Sequence, residues 1–311
     1  MLESLRVSLR QLEYFVAVAE QGTMAAAGEH CRISQSAISL AVSQLERVLG
    51  VQLFLRQRSK GLTLTNAGRL VLTDARRLLQ QTDELQNMAR SLGQELSGRL
   101  VTGCYATLTP YLLPTIFQAF RKAEPGIEIE FVEGSVAELQ ALLRDGTCEL
   151  ALMYDIGLGP DLAATTLYRI RPHVVLPTGH RLAGRTSVRL ADLADEPMVM
   201  LDMPPSEEVF RAIFAQAGVT PNVKMKTSNG EAVRAFVASG AGYSVLLQRS
   251  AVRLSYSGEP FSVCEIEEDI APVSVQLVHH ATSQLTRKAE TFASFCQRYL
   301  GAMGSHAPGA N

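Results

Sequence analysis

The sequence has few cysteines, and no two of them stand close together. Five cysteines are spread over 311 residues without a CxxC pair. This pattern argues against a secreted disulfide framework and against a zinc finger, and it favours a reducing compartment. The sequence has no apolar run near the roughly 18–20 residues that a membrane span needs, and its N-terminus does not have the pattern of a signal peptide. We therefore expect a soluble, cytoplasmic protein without a membrane partner.

Motifs of common catalytic and cofactor sites are also missing from the sequence. It contains no GxSxG, SxxK, HExxH or P-loop pattern, and the run at 240–245 lacks the third glycine of a dinucleotide fingerprint. His279 and His280 are adjacent but have no cluster of metal ligands in the sequence. We expect neither an enzyme nor a protein with a cofactor or a bound metal.

The formal net charge of −2 conceals an uneven distribution along the chain. Residues 1–77 contain ten basic and six acidic side chains, which gives +4, and the remainder carries −6. A basic head on an acidic body suits an anionic partner for the head. A solvated basic face would give the same count, so the charge alone does not identify the partner.

The head has the pattern of three helices with a tight turn between the second and the third. Apolar residues repeat at three- and four-residue steps over 9–19. Thr23 can cap a short helix over 24–31, and Ser34 can cap a third helix that Gly50 ends. The third helix would turn an apolar face inward, formed by Ile38, Ala41, Val42, Leu45 and Leu49. This pattern predicts a helix-turn-helix, with a plain helical bundle as the alternative.

Short polar side chains line the opposite face of the third helix. Gln35 can form two hydrogen bonds with adenine, and serine hydroxyls can bond bases or phosphates. Two short strands follow, at 53–57 and 62–65, around a basic tip that suits a wing on the phosphate backbone, although a solvated loop would look similar. The predicted DNA-binding residues are Thr23, Ser34, Gln35, Ser36, Ser39 and Ser43 in the helices and Arg56, Arg58 and Lys60 in the wing.

Residues 33–72 resemble the winged helix-turn-helix of LysR-type transcriptional regulators. The matching residues are Ser34, Gln35, Ala37, Ser39, Leu45, Glu46, Gly50, Leu53, Phe54, Arg56, Leu64, Thr65 and Gly68. Leu40 departs from the family pattern, because such proteins usually carry Arg or Lys there, and an expected phosphate or base contact is lost. Cys31 replaces a usual leucine, and we interpret it as a core residue.

A long helix, predicted over 66–92 with Thr65 as its cap, follows the head. Two sets of residues seven apart form an a/d seam: Val71, Leu78, Leu85 and Leu92, and Ala75, Thr82, Ala89 and Leu96. The polar residues expected to be exposed are Arg76, Arg77, Gln80, Gln81, Asp83 and Glu84. The seam favours pairing with a second copy over packing on its own domain. The family resemblance implies a homodimer through this helix and a homotetramer.

Beyond residue 98, predicted strands and helices alternate, which indicates parallel sheets flanked by helices. The runs at 98–120, 133–154 and 236–247 resemble the family's effector-binding region, which is built like a periplasmic solute-binding protein. The fold class is therefore multi-domain: a winged helix-turn-helix (all-α with a small β wing), a linker helix and an α/β effector domain of two subdomains. The predicted boundaries are 1–66 for the DNA-binding domain, 67–97 for the linker, 98–170 with 271–301 for subdomain one, 171–270 for subdomain two and 302–311 for a disordered tail.

Candidate ligand-binding residues lie beyond strand ends and near helix starts, where open α/β sheets bind ligands. Hydroxyls and free N–H groups there suit a small-molecule effector, a carboxylate or another anionic or polar compound. The resemblance places Thr107 and Ser135 where the family binds its effector. Position alone adds Thr109, Met203, Ser206, Ser228 and Asn229. A helix cap is the alternative for each, and above all for Ser206.

A peroxide sensor of this family would need a cysteine in the loop after the strand at 198–201, and residues 201–218 contain none. We therefore predict a DNA-binding transcriptional regulator that responds to a small molecule bound between its two subdomains. The expected partners are double-stranded DNA, the effector and further copies of the chain, with RNA polymerase as an option. The alternative is a cytoplasmic solute-binding or enzymatic α/β domain whose helical head only mediates assembly.

Overall fold

The N-terminal head folds as three helices and a two-stranded antiparallel wing. The computed structural model describes residues 6–57, 61–90 and 96–304. The predicted caps at Thr23 and Ser34 form, because their hydroxyls accept hydrogen bonds from the N–H groups of Ala26 and Ala37. The elements of the head are α1 (Leu9–Gln21), α2 (Met24–Cys31), α3 (Gln35–Leu49), β1 (Phe54–Gln57) and β2 (Gly61–Leu64).

The core of the head holds the wing against the helices. Phe15 of α1 and Phe54 of β1 meet edge to face, with ring centroids 5.4 Å apart. The carboxylate of Glu46, near the end of α3, accepts hydrogen bonds from the N–H groups of Leu53 at 2.7 Å and Phe54 at 3.3 Å. The wing is therefore fixed relative to α3. The prediction that Leu49 points inward is wrong: it is 38% exposed, because it lies in the last turn of α3, beyond the core.

Helix α4 (Asn66–Arg90) connects the head with the body and packs against both. Thr65 caps it by accepting a hydrogen bond from the N–H of Gly68 at 2.8 Å. Ala75 is buried in the core of the head, whereas Leu96 packs against the core of the body. The predicted a/d seam is therefore not one exposed face of α4, because Ala75 is buried in the head and Leu96 lies outside α4.

The two sides of α4 have different surroundings. Leu78 and Leu85 are 48% and 65% exposed. Three polar residues that we expected to be exposed are instead at least partly covered: Arg76, Arg77 and Gln80. They are covered because this side of α4 lies against the body, where the amide of Gln80 donates to the carbonyl of Gly146 at 3.2 Å. The side chains of Glu84 and Ala89, and Leu92 as a whole, lie outside the described residues.

The first half of the body, which we call lobe one, is built on a mixed five-stranded sheet of order β4–β3–β5–β13–β6. β3 is parallel to β4 and β5, whereas β13 is antiparallel to β5 and β6. The prediction of parallel sheets is thus wrong for half of lobe one, because β13 returns from the other lobe and inserts between β5 and β6. The elements are β3 (Gly98–Tyr105), α5 (Thr109–Ala123), β4 (Ile127–Gly134), α6 (Val136–Arg144), β5 (Leu150–Tyr154), β6 (Leu162–Ile170), β13 (Val273–His280) and α9 (Arg287–Gly304).

Helix α9 extends to Gly304, which corrects the prediction that a disordered tail begins at 302. The helix can continue past Leu300 because residues 301–304 contain no helix-breaking proline. The rest of the predicted tail, 305–311, lies outside the described residues.

Lobe two contains a parallel pair of strands, β9 and β10, and a four-stranded sheet of order β11–β7–β12–β8. β7 is antiparallel to both β11 and β12, so the prediction of parallel sheets is again only partly correct. Gly242 has a φ of +148°, and a Cβ there would lie 2.1 Å from the carbonyl oxygen of Pro197, so a glycine is needed where β11 begins beside β9. The elements are β7 (His173–Pro177), β8 (Ser187–Val188), β9 (Pro197–Leu201), α7 (Ser206–Gln216), β10 (Asn222–Thr227), α8 (Gly230–Ala238), β11 (Ser244–Leu246) and β12 (Phe261–Ile266).

Candidate DNA-binding surface and ligand cleft

One face of α3 presents short polar side chains to solvent. Gln35, Ser36 and Ser43 are exposed, and Ser39 is half-buried. Leu40, at the position where the family usually has a basic residue, is 59% exposed in the middle of this face. The opposite face is buried in the core of the head, so the polar face can approach another molecule without rearrangement of the helix.

Two of the predicted DNA-binding residues have a structural role as well. The hydroxyls of Thr23 and Ser34 cap α2 and α3. The hydroxyl of Ser34 also lies 3.0 Å from that of Ser36. These bonds place the hydroxyls at the starts of two adjacent helices, where backbone N–H groups also point outward and suit a phosphate.

The wing is attached to the helices on one side. The N–H of Leu62 in β2 donates to the carbonyl of Gly22 at 3.1 Å. Arg56 belongs to β1, but nothing is described of its side chain, and Arg58 and Lys60 lie outside the described residues. The structure thus places the strands of the wing beside the start of α2, and the basic tip stays a sequence-based prediction.

A cleft between the two lobes encloses a cavity of about 320 Å³. Lobe one contributes three residues to its wall: Thr107 between β3 and α5, Tyr111 in the first turn of α5, and Tyr154 at the end of β5. Lobe two contributes residues that follow β9, β10 and β11. The polar members from lobe two are Ser206, Ser228, Asn229, Glu231, Arg234 and Gln248.

Three tyrosines of lobe one form hydrogen bonds across this cleft. The hydroxyl of Tyr105 lies 3.2 Å from that of Ser206. Tyr111 donates to the carboxylate of Glu231 at 3.2 Å. The amide of Gln248 donates to the hydroxyl of Tyr154 at 3.1 Å. The lobes are thus joined by side-chain bonds that surround the cavity.

The surroundings of these tyrosines keep their hydroxyls protonated. Burial raises the pKa of Tyr111 to about 12, although the nearby Arg234 acts in the opposite direction. Burial also raises the pKa of Tyr154, against hydrogen bonds with Thr107 and Gln248 that lower it. Each hydroxyl is therefore a neutral group that can both donate and accept at physiological pH.

Arg234 of α8 is buried beside the cavity, with a side chain only 4% exposed. Its guanidinium donates to the carboxylate of Glu231 at 2.7 Å and to the carbonyl of Gln248 at 2.7 Å. The guanidinium carbon also lies 5.6 Å from the centroid of the Tyr111 ring. Arg234 thereby holds together the parts of lobe two that meet Tyr111 of lobe one.

The cavity includes most of the predicted effector residues but not all of them. Thr107, Met203, Ser206, Ser228 and Asn229 line it.

Two predicted residues do not line the cavity: Thr109 and Ser135. Thr109 begins α5 with its hydroxyl oxygen buried. Ser135 caps α6 and forms a reciprocal pair of bonds with Glu138, which draws its hydroxyl to the helix end.

The helix-cap alternative has a different outcome at each of two other residues. Asn229 caps α8, because its side-chain oxygen accepts from the N–H groups of Glu231 and Ala232. For Ser206 the cap interpretation is wrong: it is the first residue of α7 and its hydroxyl faces Tyr105 instead. A cis bond between Pro204 and Pro205 precedes it.

Sequence reasoning missed Tyr111, Tyr154, Glu231, Arg234 and Gln248. Two signals could have identified some of them. Tyr154 is the last residue of a fully buried strand, which is where open sheets bind ligands. Glu231 and Arg234 are three apart on a helix whose other inward residues are apolar, so a charged pair on that face was a visible exception.

Neither a metal site nor a membrane span is found in the part of the chain that the structure describes. No group of three or more His, Cys, Asp or Glu side chains there could hold a metal ion. None of the helices described is long and apolar enough to cross a membrane.

Both parts of the chain match known families. The family described as "LysR substrate binding domain" matches residues 93–301. The family described as "Bacterial regulatory helix-turn-helix protein, lysR family" matches residues 9–69. The first match covers the two lobes, and the second covers the three helices and the wing.

Similar proteins agree with these matches. YvbU of Bacillus subtilis, an uncharacterized HTH-type transcriptional regulator, is 28% identical over 304 residues, which cover 95% of this chain and 100% of that protein. The DNA-binding transcriptional dual regulator OxyR of Escherichia coli is 30% identical over 241 residues, 77% of this chain and 79% of OxyR. The crystal structure of HinK, a LysR family transcriptional regulator from Pseudomonas aeruginosa, has a TM-score of 0.65 at 35% identity and covers 96% of this chain and 99% of HinK. These findings favour a regulator over an enzymatic domain with an assembly head. The chain belongs to the LysR family of transcriptional regulators, with a helix-turn-helix for DNA and a domain for a small-molecule effector.

Proposed function

We propose that α3 lies in the major groove of an operator and that residues 1–66 form the DNA-binding domain. The observation that carries this proposal is the exposed polar face of α3, with Gln35 at its N-terminal end. Gln35 would bond a base edge, while Ser36, Ser39 and Ser43 contact bases or phosphates. Thr23 and Ser34, at two helix starts, suit phosphates. The proposal assigns Arg56, Arg58 and Lys60 to the phosphate backbone on the basis of their charge and their place in the wing.

Helix α4 is proposed as the dimerisation element, within a linker at 67–97. Leu70, Leu78 and Leu85 are 73%, 48% and 65% exposed, which is unusual for three leucines of one helix. A second copy of α4 would cover them. Pairing of the heads raises the effective concentration of the second head once the first is bound. A homotetramer and a contact with RNA polymerase belong to this proposal through the family resemblance alone.

The cavity between the lobes is the proposed effector site, within a domain at 98–301 divided at 171 and 271. Its support is that residues of both lobes form the wall and that hydrogen bonds cross the cleft there. A ligand at this place can change how the lobes meet, which is the differential contact that a ligand-induced shift requires. Thr107, Met203, Ser206, Ser228 and Asn229 stay in the proposed site, and Thr109 and Ser135 are less suited, because they lie outside the wall.

A thiol-based peroxide response is not part of this proposal. Cys104, Cys148, Cys264 and Cys296 are buried, and Cys31 is half-buried. Burial raises the pKa of Cys104 and of Cys148 to about 12, so both thiols are protonated and poorly nucleophilic at neutral pH. The proposal therefore does not carry the hydrogen peroxide response of similar proteins over to these two thiols.

Binding of the full-length protein to the duplex upstream of its own gene tests the proposal. Fluorescence anisotropy should show affinity that falls steeply as salt rises from about 50 to about 200 mM, because phosphate contacts release counterions. Failure to bind this duplex at low salt would contradict the proposed function.

Gln35→Ala tests the assignment of α3. We expect a loss of about 1–3 kcal/mol and relaxed preference at one base position, measured with a set of single-base operator variants. Gln44→Ala is the matched control, because Gln44 is exposed on the same helix but points about 180° away from Gln35 around the helix axis. An equal loss on all sequences would mean that Gln35 contacts the backbone.

A further inference from the structure

Among the described residues, the wall of the cavity between the lobes has no unpaired positive charge that would favour an anionic effector. Arg234 is the one cationic side chain among the described residues that line the cavity. Its charge is already paired with Glu231 at 2.7 Å, and its side chain is 4% exposed. A carboxylate ligand would therefore meet an existing ion pair rather than an unpaired arginine.

Two of the helix starts next to the cavity, those of α8 and α7, are less available to an anion. At the start of α8, the side chain of Asn229 accepts from the N–H groups of Glu231 and Ala232. The first turn of α7 contains two acidic residues, Glu207 and Glu208. Asn229 therefore uses two of the N–H groups at the start of α8, which leaves fewer for a ligand, and the acidic first turn of α7 makes that helix start less positive.

Negative charge is in excess around the cavity. Its wall includes Glu231 and Glu133 but only Arg234 to balance them. Glu133 is exposed at the end of β4, and no residue that the structure describes donates a hydrogen bond to its carboxylate or forms an ion pair with it. The wall therefore carries one uncompensated carboxylate.

The rest of the wall suits an apolar body. The rings of Tyr111, Tyr154 and Phe210 line the cavity together with Leu201 and Leu247. Faces of tyrosine rings attract cations, and Arg234 already uses the Tyr111 ring in this way. A volume of about 320 Å³ is within the range of small-molecule pockets.

We infer that the effector is an organic cation, a primary amine or a protonated nitrogen heterocycle on a ring-sized apolar body, rather than a simple carboxylate. The inference rests on the proposed function, because it assigns a chemical class to the same cavity. It replaces the expectation of a carboxylate with a ligand whose charge complements the free carboxylate of Glu133.

Isothermal titration of the full-length protein with two matched sets of compounds tests this inference. The first set is tyramine, tyrosol and 4-hydroxyphenylacetate; the second is cyclohexylmethylamine, cyclohexylmethanol and cyclohexanecarboxylate. Within each set the body is kept and the end group is cationic, neutral or anionic. We expect the amine of at least one set to bind, with a lower Kd than the alcohol and the acid of that set.

Glu133→Gln locates the binding. The Kd of the amine should rise by about threefold to tenfold, as expected for the loss of one partly solvated charge, and the alcohol should be unaffected. Glu128→Gln is the matched control, because Glu128 is exposed on the same strand but does not line the cavity. We expect both variants to fold normally, because both side chains are exposed.

Three results would overturn the inference: an acid that binds more tightly than its amine, no binding by either amine, or equal effects of the two glutamine variants. An acid that binds, together with intact salt-dependent DNA binding, would leave the proposed function standing and reject only the charge of the effector. Failure of the DNA-binding test would instead reject the proposed function, whatever the titrations show.

Discussion

Tyr111 is the residue at which the two lobes, the cavity and the buried ion pair meet. Its hydroxyl donates to Glu231, and its ring lies under the guanidinium of Arg234. A hydrogen bond to a charged acceptor contributes more than one between neutral groups. The side chain therefore links a contact between the lobes to the charge balance of the cavity.

Tyr111→Phe removes that hydrogen bond while keeping the ring. We expect the free energy of unfolding to fall by about 1–2 kcal/mol, because the carboxylate of Glu231 loses one donor but keeps Arg234. Urea denaturation followed by fluorescence or circular dichroism measures the change. Tyr256→Phe is the control, since Tyr256 is 83% exposed and should leave stability unchanged. Equal stability of the two variants would show that the Tyr111 bond does not hold the lobes together.

At the scale of elements, α4 shows two faces with different partners. One side faces the body, through the bond from Gln80 to Gly146 and an ion pair from Asp83 to Lys288 at 3.2 Å. The other side exposes Leu78 and Leu85. The polar side of α4 is thus bonded to the body of the same chain, and its apolar side is exposed. Such a helix can contact its own body and pair with a second copy at the same time.

Replacement of both Leu78 and Leu85 by Gln should weaken dimerisation. Each leucine that is buried on pairing contributes roughly 1.5–3 kcal/mol, so the dissociation constant of the dimer should rise at least about tenfold. Sedimentation equilibrium measures this constant. Val252→Gln is the control, because Val252 is 59% exposed on the body. An unchanged dimer in the double variant would contradict the role proposed for α4.

Features set by neighbouring residues could be predicted from the sequence, whereas features set by distant ones could not. The caps at Thr23, Ser34 and Thr65 depend on three-residue spacings, and they form as expected. The direction of β13 depends on a return from the other lobe, which no local pattern encodes. Arg234 was missed for the same reason, because its partners include a loop carbonyl fourteen residues away and a ring from lobe one.

The candidate site divides in the same way. Ser228 and Met203 were predicted from their places after strands, and both line the cavity. Ser135 was carried over from the family, but a local capping box with Glu138 accounts for it here. Conversely, Gln248 follows a strand but was not predicted, because its partner Tyr154 belongs to the other lobe and is distant in the sequence.

For the whole molecule, Arg76 is a direct link between head and body. Its guanidinium lies 3.0 Å from the carboxylate of Glu20 on α1 and 3.0 Å from that of Asp145, which ends α6. The arginine side chain is only 13% exposed, although both carboxylates are well solvated. One side chain of α4 thus contacts the DNA-binding unit and lobe one.

Arg76→Gln should weaken the coupling between the head and the body during unfolding. We expect unfolding to require about 1 kcal/mol less, since solvent screens both carboxylates, and differential scanning calorimetry should show a broader transition as the head and the body unfold less cooperatively. Arg171→Gln is the control, because its pair with Asp269 is exposed and 3.7 Å long. A transition as sharp as that of the unmodified protein would mean that Arg76 does not couple the two units.

At the proposed effector site, the tyrosine bonds across the cleft oppose the entry of a ligand. A ligand that enters the cavity and breaks the bond of Tyr111 or of Tyr154 must offer a replacement. Each bond that is lost without one costs about 1 kcal/mol, which raises the apparent Kd about fivefold. Compounds that fit the space without replacing these bonds would therefore bind several-fold more weakly, and the concentration at which the protein responds would depend on the bonds across its cleft as well as on the contacts of the effector.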